Sequence, residues 1–183
     1  MEVARTLFPQ RPICGAAAVS TFVSVGNAKQ SFVRLLDAVA ACADQLPQPV
    51  VIQHGHTPFI HSACEAHPFL DMDLFVSYVR EAAVVIVHAG AGSVLHAIRE
   101  GKVPIVMPRR AEFGEHVDDH QQELAAALAG EGKIVVVDDN AESLMPAVEK
   151  ALAMQAKPGS KEIQVPPMVK AVEKLLTALA ADS

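Results

Sequence analysis

The sequence predicts one α/β domain, a parallel sheet with helices on both faces, on three observations. Short β-branched runs alternate with longer helical stretches, as parallel strands require, since a crossover must return the chain to its starting edge. The run Val84 to Val87 is apolar at every position, which suits a strand covered on both faces. The composition, 51% hydrophobic with 4% aromatic residues and no Trp, gives a core packed from Ala, Val and Leu and excludes the disordered class. A chain of 183 residues is long enough to bury such a core without disulfide or metal staples.

Taken in order, residues 1–20 read as a loosely structured extension. Arg5 and Arg11 ahead of Ile13 to Val25 imitate a secretion signal, but cleavage there would remove Thr21 to Val25, the first core strand, so an intact cytoplasmic chain is expected. The domain proper, 21–154, continues with a helix Phe32 to Gln45, a strand Pro49 to Gln53, a short extended segment His67 to Leu70 as a sixth strand, and a helix Asp73 to Glu81. Val84 to Val87 is followed by a turn at Gly90 and Gly92, a helix Val94 to Glu100 capped by Ser93 and closed by Gly101, and a strand Pro104 to Met107. A helix His120 to Ala129, a strand Ile134 to Val137 and a helix Ser143 to Ala153 complete the alternation. Residues 155–167, rich in Lys, Pro and Gly, form a linker. In the terminal helix, 168–183, Val169, Val172, Leu175, Leu176 and Leu179 share one face, either packed on the parent domain or presented to another chain.

The formal charge of −6, with no Lys/Arg cluster to offset it, argues against nucleic acid as a partner. No apolar run approaches the roughly 20 residues that span a bilayer. Cys14, Cys42 and Cys64 are odd in number and lack a CxxC pair, so they read as free thiols of a reducing compartment.

In parallel α/β sheets ligands bind beyond the C-terminal strand ends. That rule brings four polar loops to one rim: Gly26 to Lys29, His54 to His56, His88 to Ser93 and Arg109 to Gln122. A helix start offers unpaired N–H groups and partial positive charge, so the tip from His88 to Ser93 suits a diphosphate. The loop is neither a Walker A motif nor a GxGxxG fingerprint, and by itself is compatible with mere tight packing. His116 and His120, with Glu115, Asp118 and Asp119 beside them, would suit a metal if all lay on one helix, against the alternatives of sugar or phosphate contact and of a solvated acidic loop. Arg109 and Arg110 are either counter-charges for phosphate or ordinary surface arginines.

The segments FVSVGNAKQSFVRLL (Phe22 to Leu36), VIQHGHTPF (Val51 to Phe59), VIVHAGAGSVLHAIREGKVPIVMPR (Val85 to Arg109) and FGEHVDDHQQELA (Phe113 to Ala125) resemble the C-terminal, donor-binding domain of the family 28 glycosyltransferases, which are MurG-like and of GT-B fold. Within that family the likeness is to small split subunits: the catalytic half of the eukaryotic dolichol-linked UDP-GlcNAc transferase and the bacterial exopolysaccharide PssE type. The resemblance implies a single Rossmann-like GT-B half in which Gly90, Ala91, Gly92 and Ser93, with His88, hold the UDP diphosphate and Gly26 and Asn27 face it. It further implies sugar contacts from Gln121 and Gln122, and uracil read near Phe69 and Leu70; His120 beside them is a candidate sugar or phosphate contact.

One departure bears on the site. His96 stands six residues after Gly90, where the family usually carries a Glu that accepts both ribose hydroxyls, a bidentate contact that an imidazole cannot reproduce. The expected function is the donor-binding catalytic subunit of a split inverting transferase that moves a sugar from a UDP-sugar to a lipid-linked glycan in polysaccharide biosynthesis. It would need no cofactor and no metal. A membrane-anchored, PssD-type partner would supply the acceptor site at the inner membrane face. Glu115 and His116 are the nearby candidates for a base. The alternatives are a non-catalytic nucleotide-sugar-binding subunit and a hydrolase or epimerase-like relative on the same fold.

Overall fold

The computed structural model describes residues 20–156 apart from 119 and 138–140; the N-terminal extension with Cys14, most of the linker and the terminal helix expected from the sequence lie outside the described residues. Six parallel strands, β1 (Thr21–Ser24), β2 (Val50–Gln53), β3 (Cys64–His67), β4 (Val84–His88), β5 (Ile105–Met107) and β6 (Val135–Val136), pair in the order β3-β2-β1-β4-β5-β6. This is the doubly wound order in which the chain reverses direction across the sheet between β1 and β4. Thr21 to Ser24 stand opposite Val50 to Gln53 on one side and Val84 to Val87 on the other, so the loops leaving β1 and β4 emerge side by side.

Among the described residues five α-helices cover the sheet: α1 (Val33–Cys42), α2 (Met72–Glu81), α3 (Ala91–Arg99), α4 (His120–Gly130) and α5 (Leu144–Gln155). Alternate strand residues feed two cores. Val23, Ile52, Ile86 and Ile105 pack with α1 and α5, while Phe22, Val51, Val85 and Val106 pack with α2, α3 and α4. Each fully buried Ile or Phe contributes roughly 1.5–3 kcal/mol by leaving water. Phe22 fixes α2 through an edge contact with Phe75 at 5.3 Å and a stacked one with Tyr78 at 5.6 Å, which sets the start of α2 beside the rim.

The structure corrects three local expectations. The sixth strand lies at Cys64–His67, before the segment expected: the carbonyls of His67 and Pro68 still accept the His54 and Gly55 N–H groups, but Pro68 has no N–H with which to carry the ladder further. Helix α2 begins at Met72, with Asp71 accepting from the Leu74 N–H as its cap. Helix α3 begins at Ala91, with Gly90 at the N-cap and no side-chain cap, so Ser93 lies inside the first turn. Gly101, at φ 72°, ends α3 as expected, its N–H bonding Ile98 while Lys102 bonds Ala97. Cys42 and Cys64 are free thiols. Among the described residues no helix is long and apolar enough to cross a membrane.

Candidate functional site

The parting of β1 and β4 opens a cleft of about 240 Å³ at the C-terminal edge of the sheet. One wall comes from β1, β2 and the first loop: Ser24, Gly26, Asn27 and Gln53. Facing it are His88, Gly90, Gly92, Ser93 and His96 from β4 and α3, and Leu70, Met72 and Phe75 close the far end. The sequence-predicted Gly26, Asn27, Leu70, His88, Gly90, Gly92, Ser93 and His96 are thereby brought together. Ser24, Gln53, Met72 and Phe75 join them without having been expected.

The floor is a polar relay. The Ser24 hydroxyl donates to Gln53 Oε1 at 2.8 Å and accepts the Gly26 N–H at 3.2 Å, while Gln53 Nε2 donates to Asn27 Oδ1 at 3.0 Å. With its carbonyl oxygen occupied from behind, Asn27 keeps its amide N–H groups as donors. Across the cleft, the first intrahelical bond of α3 runs from Val94 N–H to the Gly90 carbonyl. The N–H groups of Ala91, Gly92 and Ser93 precede that bond and have no place in the helix ladder, which makes this end of α3 electropositive.

Between the two walls stands His88. A Cβ on Gly26 would lie 2.4 Å from its Cε1, and one on Gly90 would lie 2.2 Å from its Nε2, so the imidazole fills a slot that only two glycines leave open. Its Nδ1 is buried without a hydrogen-bond partner among the described residues. Burial, and then the neighbouring Arg109 charge, bring its pKa down from 6.5 to about 4, with His116 adding in the same sense and the Ser24 backbone opposing. The ring is therefore neutral near pH 7.

This has a stability consequence. Between pH 6.5 and about 4 the unfolded chain binds a proton at His88 that the folded chain does not. The stability conferred by the neutral ring is thus complete above the higher value and is lost as pH falls toward the lower one, on the order of 3 kcal/mol in all. Chemical denaturation at pH 7 and 4.5 should show a loss that shrinks by about 2 kcal/mol in His88→Asn. An equal loss in both proteins would refute the assignment.

The loop after β5 is organised by ion pairs rather than by solvent. Arg109 is fully buried: its Nη1 donates to the carbonyls of Gln30 and Glu115 at 2.9 and 3.0 Å, its Nη2 to Val25 at 2.8 Å, and its guanidinium lies 4.6 Å over the Phe32 ring. It is therefore not a surface arginine, which corrects that one of the two readings made from the sequence. Glu115, also buried, holds Arg34 through both oxygens at 3.1 and 2.7 Å and accepts the Arg110 N–H at 3.0 Å. A carboxylate engaged in this way is not a free base, so the catalytic expectation for Glu115 gives way to a positioning one. His116 keeps its ring in play, with Nδ1 3.0 Å from Asp118 Oδ1.

The remaining expected residues lie outside the cleft lining. Phe69 is 47% exposed and turned onto His56 at 5.0 Å. Ala91 is the first residue of α3. His120 is exposed at the start of α4, 3.6 Å from Glu123, and Gln121 accepts the Arg109 N–H at 3.1 Å. Gln122 sits beside them in the first turn of α4. His116 precedes that helix, so it does not share an α4 face with His120, and among the described residues no three His, Cys, Asp or Glu side chains are grouped to hold a metal.

The family model described as "Glycosyltransferase family 28 C-terminal domain" matches residues 20–175. A curated relative from Cryptococcus neoformans var. neoformans serotype D, named UDP-N-acetylglucosamine transferase subunit ALG13, is 39% identical over 87 residues, 45% of this chain and 41% of the relative. The chain thus spans about two fifths of the length of the curated relatives it matches. Among solved structures, an NMR structure of ALG13 is similar with TM-score 0.57 at 17% identity, over 84% of this chain and 94% of that one. The calicheamicin glycosyltransferase CalG4 is similar with TM-score 0.61 at 21% identity, over 94% of this chain and 42% of that one. Both structural likenesses establish the fold.

Proposed function

Since the chain belongs to the glycosyltransferase family 28 C-terminal domain family, we propose that it binds a UDP-sugar in the β1–β4 cleft and serves as the donor half of an inverting glycosyltransferase. The observation that carries this reading is the convergence of unpaired N–H groups at the α3 N-terminus with Gly26 and Asn27 across a slot filled by a neutral imidazole. Such an arrangement welcomes a diphosphate. It also stabilises the charge that grows on UDP as its bond to the sugar breaks. An acceptor hydroxyl oxygen would attack the anomeric carbon, the bonding pair would leave with the β-phosphate oxygen, and a base would take the hydroxyl proton. On this chain His116, oriented by Asp118, is the candidate base, and Gln121 and Gln122, with His120, would orient the sugar.

The partner follows from what one half lacks. The curated relatives are named as transferase subunits, in keeping with a second, membrane-anchored subunit of PssD type. That subunit would contribute the acceptor wall, draw the pair to the inner membrane face and present a lipid-linked glycan, with polysaccharide biosynthesis as the outcome. No metal or other cofactor enters the scheme. The boundaries that go with it are a donor-binding unit over 21–154, followed by a linker and a terminal helix.

Titration calorimetry with UDP, UDP-GlcNAc, UDP-glucose and UDP-glucuronate tests the donor assignment, and absence of binding by all four would overturn it. His96 gives the same experiment residue-level content. It lines the cleft beyond Ser93, 6.2 Å from Phe75, where the nucleoside would lie. His96→Ala should weaken UDP binding by about 1 kcal/mol, the worth of a modest hydrogen bond. His96→Glu should equal or improve on the parent, since a carboxylate accepts two hydroxyls. Equal affinity for the three proteins would place His96 off the nucleotide.

A further inference from the structure

The cleft that would take a polyanion carries no charged side chain of its own among its lining residues: its polar groups are Ser24, Asn27, Gln53, Ser93 and two imidazoles, of which His88 is neutral. A charged cluster lies in the buried wall behind it. There Glu115 is bound to Arg34 through both oxygens. Arg109 meets only carbonyl oxygens, those of Val25, Gln30, Ser31 and Glu115, and its Nε is buried without a hydrogen-bond partner among the described residues. Arg109 therefore places a guanidinium charge with no carboxylate oxygen bonded to it in a medium of low polarity, beside His88 and hydrogen-bonded one residue from Gly26.

We propose that Arg109, with no atom exposed to solvent, is the counter-charge of this cleft: a positioning residue that raises affinity for an anionic diphosphate at the α3 N-terminus and holds the Gly26 wall against it through Val25 and Gln30. Two physical facts favour the arrangement. A guanidinium keeps its proton even where burial lowers its pKa, as burial does here while Glu115 opposes. A charge acting through protein rather than water is weakly screened, so contact with the ligand is unnecessary. Placing the charge one layer back also leaves the cleft face to N–H donors.

The proposal deepens the donor-site reading and rests on it for the identity of the anion, so inorganic pyrophosphate is used beside UDP. The parent chain should bind both. Arg109→Gln should lose about tenfold or more in affinity for each, the scale of one charge acting at an effective dielectric constant near 20. Arg109→Lys, which keeps the charge but not the fork of carbonyl bonds, should recover to within about threefold of the parent. Glu115→Gln removes the opposing charge and should bind pyrophosphate more tightly than the parent, which decides the matter if Arg109→Gln does not fold. Folding is followed by circular dichroism throughout. A folded Arg109→Gln with parental affinity, a Lys variant no better than Gln, or a folded Glu115→Gln that binds no more tightly would each overturn the proposal. Pyrophosphate binding without UDP binding would refute the UDP-sugar reading while leaving Arg109 in its role, and binding of neither would overturn both.

Discussion

Gly92→Val is expected to fold like the parent chain and to lose UDP binding by about 100-fold or more. A Cβ at Gly92 meets nothing within 4 Å, and the position lies in the exposed first turn of α3, so the substitution neither overpacks the core nor strains the backbone. The added isopropyl group would project into the cleft in front of the N–H groups of the helix start. Losing one or two hydrogen bonds to a charged diphosphate costs about 1.5–3 kcal/mol each, which sets the expected scale. Gly90→Ala is the contrasting case. Its methyl would lie 2.2 Å from His88 Nε2, so the ring or the strand end must shift, and a destabilisation of about 1–3 kcal/mol is expected. Thermal denaturation alongside UDP titration separates the two variants. Parental UDP affinity in folded Gly92→Val would remove the diphosphate from this helix end.

The difference between those two glycines was not legible in the sequence, where both read as turn residues of one loop. Pattern alone reached the sheet, because β-branched runs such as Val84 to Val87 admit no other face to hide against, and the helix periodicities fixed the crossovers. Pattern failed at the helix start. Ser93 is a good cap by residue type, but the cap position is set by where β4 releases the chain, and the slot occupied by His88 moves that point back to Gly90. Ser24 and Gln53 were read as core strand positions, correctly as to burial. Their hydrogen bonds to Asn27 and Gly26 depend on the β1–β2 register, which residue type does not encode. Arg109 shows the limit most plainly. An arginine after a strand is usually solvated, and its burial here is made tolerable by the nearby Glu115 carbonyl together with carbonyls of a loop more than 75 residues earlier, at Val25, Gln30 and Ser31. The same fold turns Glu115 from a candidate base into an anchor for Arg34.

The isolated chain should bind donor and transfer sugar at less than about one thousandth of the rate of the assembled enzyme. The cleft described here has walls from β1, β2, α2, β4 and α3, all of which would grip the nucleotide side of a UDP-sugar. On the proposed reading, donor affinity would depend on this chain alone. Transfer depends in addition on an acceptor hydroxyl held in line with the anomeric carbon, and proximity with orientation accounts for roughly 7–11 kcal/mol of such a barrier. Leaving that alignment to diffusion removes far more rate than affinity, even with His116 in place to take a proton. Release of UDP from UDP-sugar and transfer to a lipid-linked acceptor, measured with and without the candidate partner, separate the outcomes. Rapid release to water by the chain alone would favour the hydrolase reading over the transferase. The apolar positions expected from the sequence in the terminal segment offer a test of the proposed pair. If its apolar face docks the partner, Asp at Val172, Leu175 and Leu179 should abolish complex formation and transfer while UDP affinity persists; loss of folding instead would mean that the face packs on its own domain. Full transferase rate from the isolated monomer would overturn the two-subunit reading altogether.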